Sequence, residues 1–369
     1  MSATEQTRPA RPTPPGASGA SGASGASGAA VAAGGFHVDR MSRRRRAAIV
    51  TGSLAAVCAV LFVTSMTVGS VLLPPLDVLA SVLGLGDPST DFIVRGLRMP
   101  RAITAVLVGL ALGASGAVFQ RLLRNPLAAP DLIGISAGAS TATVAGLTLF
   151  GLGGIGLSAA AVAGGLGVAA LVFLLAWRGG LVGTRFILIG VGVAAGCESI
   201  TSFLIARADI TDARAAMTWL VGSVGMASET DLVVLAIAVL VLLPAAAAWT
   251  RRLGVLELGG DRASSLGLRV DRDTVVLLAF AVALVALATA AAGPIAFVAL
   301  MAGPVSARLL GRAGDRVVVA ALAGAIIVQV ADLVAQHALP TPISTGIVTG
   351  LVGAPYIAWL LVRSGKERA

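Results

Sequence analysis

The sequence predicts an all-α membrane protein of about ten transmembrane helices in two five-helix halves, and three observations predict it. Of its 369 residues, 57% are hydrophobic and 12% charged, with mean hydropathy +0.93. That is the composition of a polytopic membrane protein, not of a soluble domain. Uncharged runs close to the ~20 residues that a helix needs to cross a bilayer recur along the chain. The basic residues fall between those runs, so the formal charge of +9 belongs to cytoplasmic loops rather than to a nucleic-acid surface.

The first element, residues 1–46, is a low-complexity tail: Pro-rich, then repeats of Ser-Gly-Ala, then Arg43 to Arg46. It cannot bury a core and is expected to be disordered. With no apolar h-region it does not read as a signal peptide. The four arginines anchor the N-terminus on the cytoplasmic side. The spans follow at 47–71, 101–120, 132–150, 157–177, 186–206, 231–249, 274–292, 294–311, 317–336 and 346–363, with a short cytoplasmic tail at 364–369. Two longer uncharged stretches divide into pairs of spans, at Gly151–Gly156 and at Gly293-Pro294, because glycine and proline interrupt helices. Arg124-Asn125-Pro126 reads as a basic turn between spans two and three,. Gly109 and Gly113, then Gly134 and Gly138, stand four apart, a spacing that lets helix backbones approach closely in lipid.

Charge sets the orientation. From Arg43 onward, the segments placed inside hold 19 Arg or Lys and the outer ones five: Arg95, Arg98, Arg101, Arg207 and Arg214. Trp177, Trp249 and Trp359 sit at inner ends, as interfacial tryptophans do. Five spans per half invert the second half relative to the first, an arrangement common in transporters.

Catalytic constellations are missing from the sequence. His37 and His337 have no neighbours at metal-ligand spacing,, so no metal or cofactor is expected. A phosphate-binding G-x-x-x-x-G-K-[ST] is absent, since the sole lysine, Lys366, precedes Glu367,. Cys58 and Cys197 lie in apolar runs, which disfavours a disulfide framework,. Glu198 is the conspicuous mid-span carboxylate. Such a group is costly in lipid and tends to face a bundle interior or a water-filled cavity, so it is a pathway candidate. A hydrogen-bonded packing role is the alternative, about as well supported. Asp332 lies near an outer helix end and Gln120 ends its span; both read as structural.

The run from Arg98 to Ser140 carries R-x-P-R, G-x-x-L-G-x-S-G-x-x-x-Q and R-N-P-L-A-x-P-x-x-x-G-x-x-x-G-A. It resembles the permease subunits of FecCD-type ABC importers for ferric siderophores, haem and cobalamin. Further matches are Trp219-x-x-Gly222-Ser223, Gly293-Pro-Ile-Ala-Phe297 and Gly346 to Pro355. The resemblance implies a homo- or heterodimer of ten-span subunits, a separate ATP-hydrolysing subunit and an extracytoplasmic substrate-binding protein. It implies that Arg98 and Arg101 dock the binding protein. It also implies that Leu256, Leu258, Gly259, Asp261, Ala263, Leu266 and Gly267, in the inner loop 251–273, couple to the ATPase. In that loop Gly259-Gly260 reads as a turn between two short helices, Asp261 as an N-cap, and Ala263 with Gly267 as an approachable small-residue face,. The chain departs from the family at Pro304, Gln336, Pro342 and Ser344. The expected function is inward transport of a ferric siderophore, with cobalamin or haem as the alternative cargo and an ion-gradient-driven transporter as the alternative class.

Overall fold

The computed structural model describes residues 24–69, 71–177, 183–311 and 316–366. Contacts divide the chain at Arg45/Arg46 into two units. The N-terminal unit contributes the first part of helix α1 (Ser24–Thr67). Helix thus occupies positions 24–46, which composition reads as tail. The Ser-Gly-Ala repeat holds no proline beyond Pro15, and alanine is the best helix former. Residues 1–23 lie outside the described residues, as do 367–369 of the short C-terminal tail.

The second unit is a helical bundle. Its elements are α2 (Pro75–Leu83), α3 (Pro88–Asp91), α4 (Met99–Leu122), α5 (Ile135–Phe150), α6 (Ile155–Ala176), α7 (Gly183–Arg207), α8 (Ile210–Val221), α9 (Glu229–Leu256), α10 (Gly260–Ser265), α11 (Val270–Ala292), α12 (Val298–Leu310), α13 (Arg316–His337) and α14 (Thr345–Lys366). Among the described residues, seven helices are long and apolar enough to cross a membrane, and three shorter apolar ones, within α5, α12 and α14, complete the expected ten.

Boundaries differ where the backbone is irregular. The second span begins well before residue 101, because a π-helical stretch, Phe92–Arg98, joins α3 to α4. Pro100 has no N–H to donate and would crowd the carbonyl four residues back; the wider turn, with Met99 N–H bonded to Val94 O, accommodates it. The eighth span begins at Val298 rather than 294. Gly293 (φ 71°) and Phe297 (φ 69°) both hold left-handed backbone, so 293–297 is an open break between α11 and α12. The basic turn after α4 is closed as expected, with Asn125 Oδ1 accepting from Leu127 N–H at 3.0 Å,.

Helix α4 is the centre of the bundle and is buried over most of its length. It packs against α13, α11, α12 and α9. A Cβ on Gly109 or Gly113 would collide with α13 backbone at Ala325 and Ala320, and one on Gly324 with the Gly109 carbonyl. The glycine spacing therefore marks a backbone-to-backbone contact, in which dispersion forces and close approach hold the helices together. Gly138 and Gly164 do the same for α5 and α6. Buried polar side chains bond across helices, Ser115 Oγ to Ala281 O at 2.9 Å and Gln120 Nε2 to Leu300 O at 3.0 Å.

The two halves repeat one pattern. α5 packs on α6 and α7, and α6 on α7; α12 packs on α13 and α14, and α13 on α14. α4 reaches across to α12 and α13, and α11 reaches back to α5 and α6. Pairing α4 with α11, α5 with α12, α6 with α13 and α7 with α14 maps one set of contacts onto the other.

Candidate functional site

Three places in the bundle hold the residues singled out by sequence. At the end read as outer, both arginines are engaged within the chain. Arg98 donates to the carbonyls of Met66, Thr67 and Val71 at 2.8, 3.1 and 2.6 Å. It thereby satisfies carbonyls left open where α1 ends. Arg101 meets Asp332 with Nη2 to Oδ1 at 2.8 Å and Nε to Oδ2 at 3.1 Å, a two-pronged pair,. Asp332 also accepts from Thr345 Oγ1 at 2.8 Å and Gln336 Nε2 at 2.6 Å. The structural reading of Asp332 fits this geometry. Both arginines also hold the chain's own structure: one closes a helix end and the other ties α4 to α13 and α14.

Glu198 is exposed on the single chain and lines a cavity of about 490 Å³. Asp131, Ser136, Ser140, Thr201 and Ser202 contribute further polar groups, and Pro294 and Ala296 of the α11–α12 break form part of its wall. Asp131, in the segment before α5, accepts from Ser136 Oγ at 2.5 Å. Burial pushes its carboxyl above the ordinary carboxylate range, and the Ser136 hydroxyl opposes that shift,. Sequence alone does not single out Asp131, because a carboxylate beside a predicted basic turn looks like a loop residue. Close by, three motif stretches meet: Ser223 N–H bonds Ala292 O at 2.7 Å and Gly346 N–H bonds Gly222 O at 3.0 Å. A Cβ on Gly222 or Gly346 would strike Pro294 or Val221 carbonyls, so the glycines permit backbone contact around the break.

The inner loop is folded back on the bundle. Its first expected short helix is the end of α9, which runs unbroken to Leu256. Gly259, at φ 110°, is the N-cap of α10, and Asp261 lies in the first turn instead, where its charge suits the helix dipole,. Gly259 and Gly267 (φ 83°) both need left-handed backbone, which explains glycine at these two positions,. Ala263 is fully buried and Leu256 nearly so, whereas Leu258 and Leu266 are 51% and 62% exposed. Ala263 and Gly267 therefore do not form one approachable face: Ala263 holds the loop to the bundle, and Leu258, Asp261 and Leu266 point away from it. Three contacts unseen in the sequence fix the loop. Arg121 Nε bonds Glu257 Oε1 at 2.6 Å, Arg124 Nη2 bonds Leu256 O at 2.7 Å, and Arg252 Nη1 bonds buried Asp273 Oδ1 at 2.6 Å. Among the described residues, no group of three or more His, Cys, Asp or Glu could hold a metal ion.

Known proteins share this architecture. A solved structure described as an inward-facing conformation of a metal-chelate type ABC transporter superposes with TM-score 0.77 at 27% identity, covering 85% of this chain and 99% of that one. The ferric enterobactin transport system permease protein FepG of Escherichia coli (strain K12) is 36% identical over 88% of this chain and 98% of its own length. The cobalamin import system permease protein BtuC of Halobacterium salinarum is 37% identical over 79% of each. The profile of the FecCD transport family matches residues 57–363, from within α1 to the last turns of α14, and the chain is a member of that family.

Proposed function

We propose that this chain is the translocation subunit of an ABC importer that carries ferric siderophores inward. The observation that carries the reading is the family match across nearly the whole bundle, together with relatives whose names specify ferric enterobactin, achromobactin, ferric citrate and ferric hydroxamates. Cobalamin is the second cargo, favoured by the BtuC relative. The chain itself hydrolyses nothing. ATP is consumed by a separate subunit seated against the exposed side of the inner loop, at Leu258, Asp261 and Leu266. A second permease subunit covers the exposed faces of α7 and α14 and closes the Glu198 cavity into a pathway. A binding protein delivers cargo at the outer end, near Arg98 and Arg101, whose internal bonds shape that surface. Both termini lie in the cytoplasm of a cell whose membrane the bundle crosses.

The test is reconstitution of the permease dimer in proteoliposomes with an ATPase subunit and a binding protein. Radio-iron siderophore should enter only with ATP and all three components, faster than cobalamin or haem. Uptake that persists without the ATPase and follows an ion gradient would instead make it a secondary transporter.

A further inference from the structure

A second cavity, of about 420 Å³, opens beside the inner loop and is lined by four arginines: Arg121, Arg124, Arg308 and Arg316. They converge from separate elements. Arg121 is on the last turn of α4, Arg124 on the turn after it, Arg308 on the last turn of α12, and Arg316 at the start of α13. Among the described residues, Glu257 is the one carboxylate in the lining. Arg312 and Asp315, in the α12–α13 loop, lie outside the described residues and carry no net charge together.

Elsewhere two guanidinium groups at the bundle edge have a carboxylate, Asp332 for Arg101 and Asp273 for Arg252, while Arg98 is spread over three backbone carbonyls. In the cavity, among the described residues, only Arg121 has a carboxylate, at 2.6 Å. Arg124 and Arg316 each place one N–H on a backbone carbonyl, at 2.7 Å in both cases. Arg308 lies over the Trp359 ring at 4.4 Å. A guanidinium has five donors in a planar fork, so most of the donors in this cavity have no protein acceptor among the described residues. Arg124 holds left-handed backbone (φ 49°), a conformation that a non-glycine side chain adopts only where its surroundings enforce it.

Four cations against one carboxylate leave a net positive cavity that suits a further anion, and guanidinium forks match phosphate oxygens,. The rest of the wall is mostly apolar, with Ala117, Pro126, Pro304, Ala307 and Leu360, and its polar members Gln120 and Ser306 already donate to the carbonyls of Leu300 and Gly303. Exposed Leu309 and Trp359 stand next to it in the chain. Basic pockets between transmembrane helices at a membrane surface suit lipid headgroups. We propose that this cavity is a binding site for a phosphate group, with the headgroup of an anionic phospholipid as the source that the apolar wall fits. Bound there, the phosphate bridges α4, α12 and α13 beside the Arg121–Glu257 pair that grips the inner loop. The site depends on the membrane setting alone, whatever the cargo.

The purified permease is titrated in neutral detergent with phosphatidylglycerol, with phosphatidylcholine and, separately, with millimolar inorganic phosphate. Lipid retention is read by native mass spectrometry and thermal unfolding by fluorescence. Phosphatidylglycerol should bind and raise the unfolding temperature, whereas phosphatidylcholine should not. Arg308→Gln with Arg316→Gln should weaken phosphatidylglycerol about 30-fold. Arg262→Gln with Arg269→Gln, on the inner loop and outside the cavity, should leave binding unchanged. If the Arg308→Gln, Arg316→Gln double variant does not fold, Arg308→Lys with Arg316→Lys keeps the charge and should bind more weakly than wild type. Lipid binding without an effect of inorganic phosphate assigns the site to lipid, and an equal effect of inorganic phosphate assigns it to a soluble phosphate. Phosphatidylglycerol binding that is indifferent to the cavity arginines, or no anion binding at all, overturns the proposal.

Discussion

Arg101 and Asp332 are separated by 231 positions in the chain and joined at 2.8 Å in the fold. Their environments are unequal: the aspartate side chain is 5% exposed, the arginine side chain 28%. Removing the arginine leaves a buried carboxylate without its cation, while removing the carboxylate leaves an arginine that reaches water. Arg101→Ala should therefore cost about 3 kcal/mol and Asp332→Asn clearly less, read as unfolding temperatures in detergent; equal losses would show that burial does not decide the cost. Glu198 belongs to the same scale. In a background free of Cys58 and Cys197, Glu198→Cys should react with a small water-soluble thiol reagent well above a control on the exposed apolar face of α9 such as Leu240→Cys, because position 198 borders the polar cavity. Residue type alone marks both places as significant. Partners were not legible, because nothing in R-x-P-R encodes an acid two hundred residues later. Gln336 was visible only as a departure from the family; in the fold it donates the bond that a second cation would otherwise supply to Asp332.

At the scale of elements, the ten spans were legible because hydropathy and the twenty-residue requirement are local properties. Their ends were less so. The π-helical lead-in, α2 and α3 occupy a stretch whose prolines and polar residues read as a loop, and the α11–α12 break keeps α12 to thirteen residues. The glycine pairs give the most direct test. Gly109→Val would press a branched side chain into α13 backbone, which cannot swing aside as a side chain can. A loss of at least 1–3 kcal/mol is expected, seen as a lower unfolding temperature. A Cβ on Gly192, in α7, would meet nothing within 4 Å. Gly192→Ala should leave the isolated subunit as stable or slightly more so, since alanine favours helix by up to about 1 kcal/mol. If a second subunit covers α7, the same change should weaken dimerisation on size-exclusion chromatography.

For the molecule as a whole, the inner loop separates two kinds of failure that sequence alone merged. Ala263→Glu buries a charge against the bundle and should impair folding before it impairs any docking. Leu258→Glu and Leu266→Glu change exposed side chains, so the permease should still purify folded. Co-purification of the ATPase subunit should fall at least tenfold, the effect of losing roughly 1.4 kcal/mol of interface. Retention of full ATPase binding by both leucine variants would place the contact elsewhere. The motif was readable; which of its members face inward was not, since that depends on Arg121 and Arg124, at the distant end of α4, holding the loop to the bundle while Arg252 closes it on Asp273.

The burial of α4 among helices of the other half also sets a schedule for biogenesis. Gly109 meets Ala325, and the 216 residues between them (325 − 109) take roughly 10–40 s to synthesise at ~5–20 residues per second. Through that interval the glycine-lined surface of α4, with Ser115 and Gln120 on it, sits in lipid or against the insertion machinery with its permanent neighbours still unmade. A nascent chain stopped after α8 should therefore be a short-lived species in pulse–chase, rescued when the second half is supplied as a separate polypeptide.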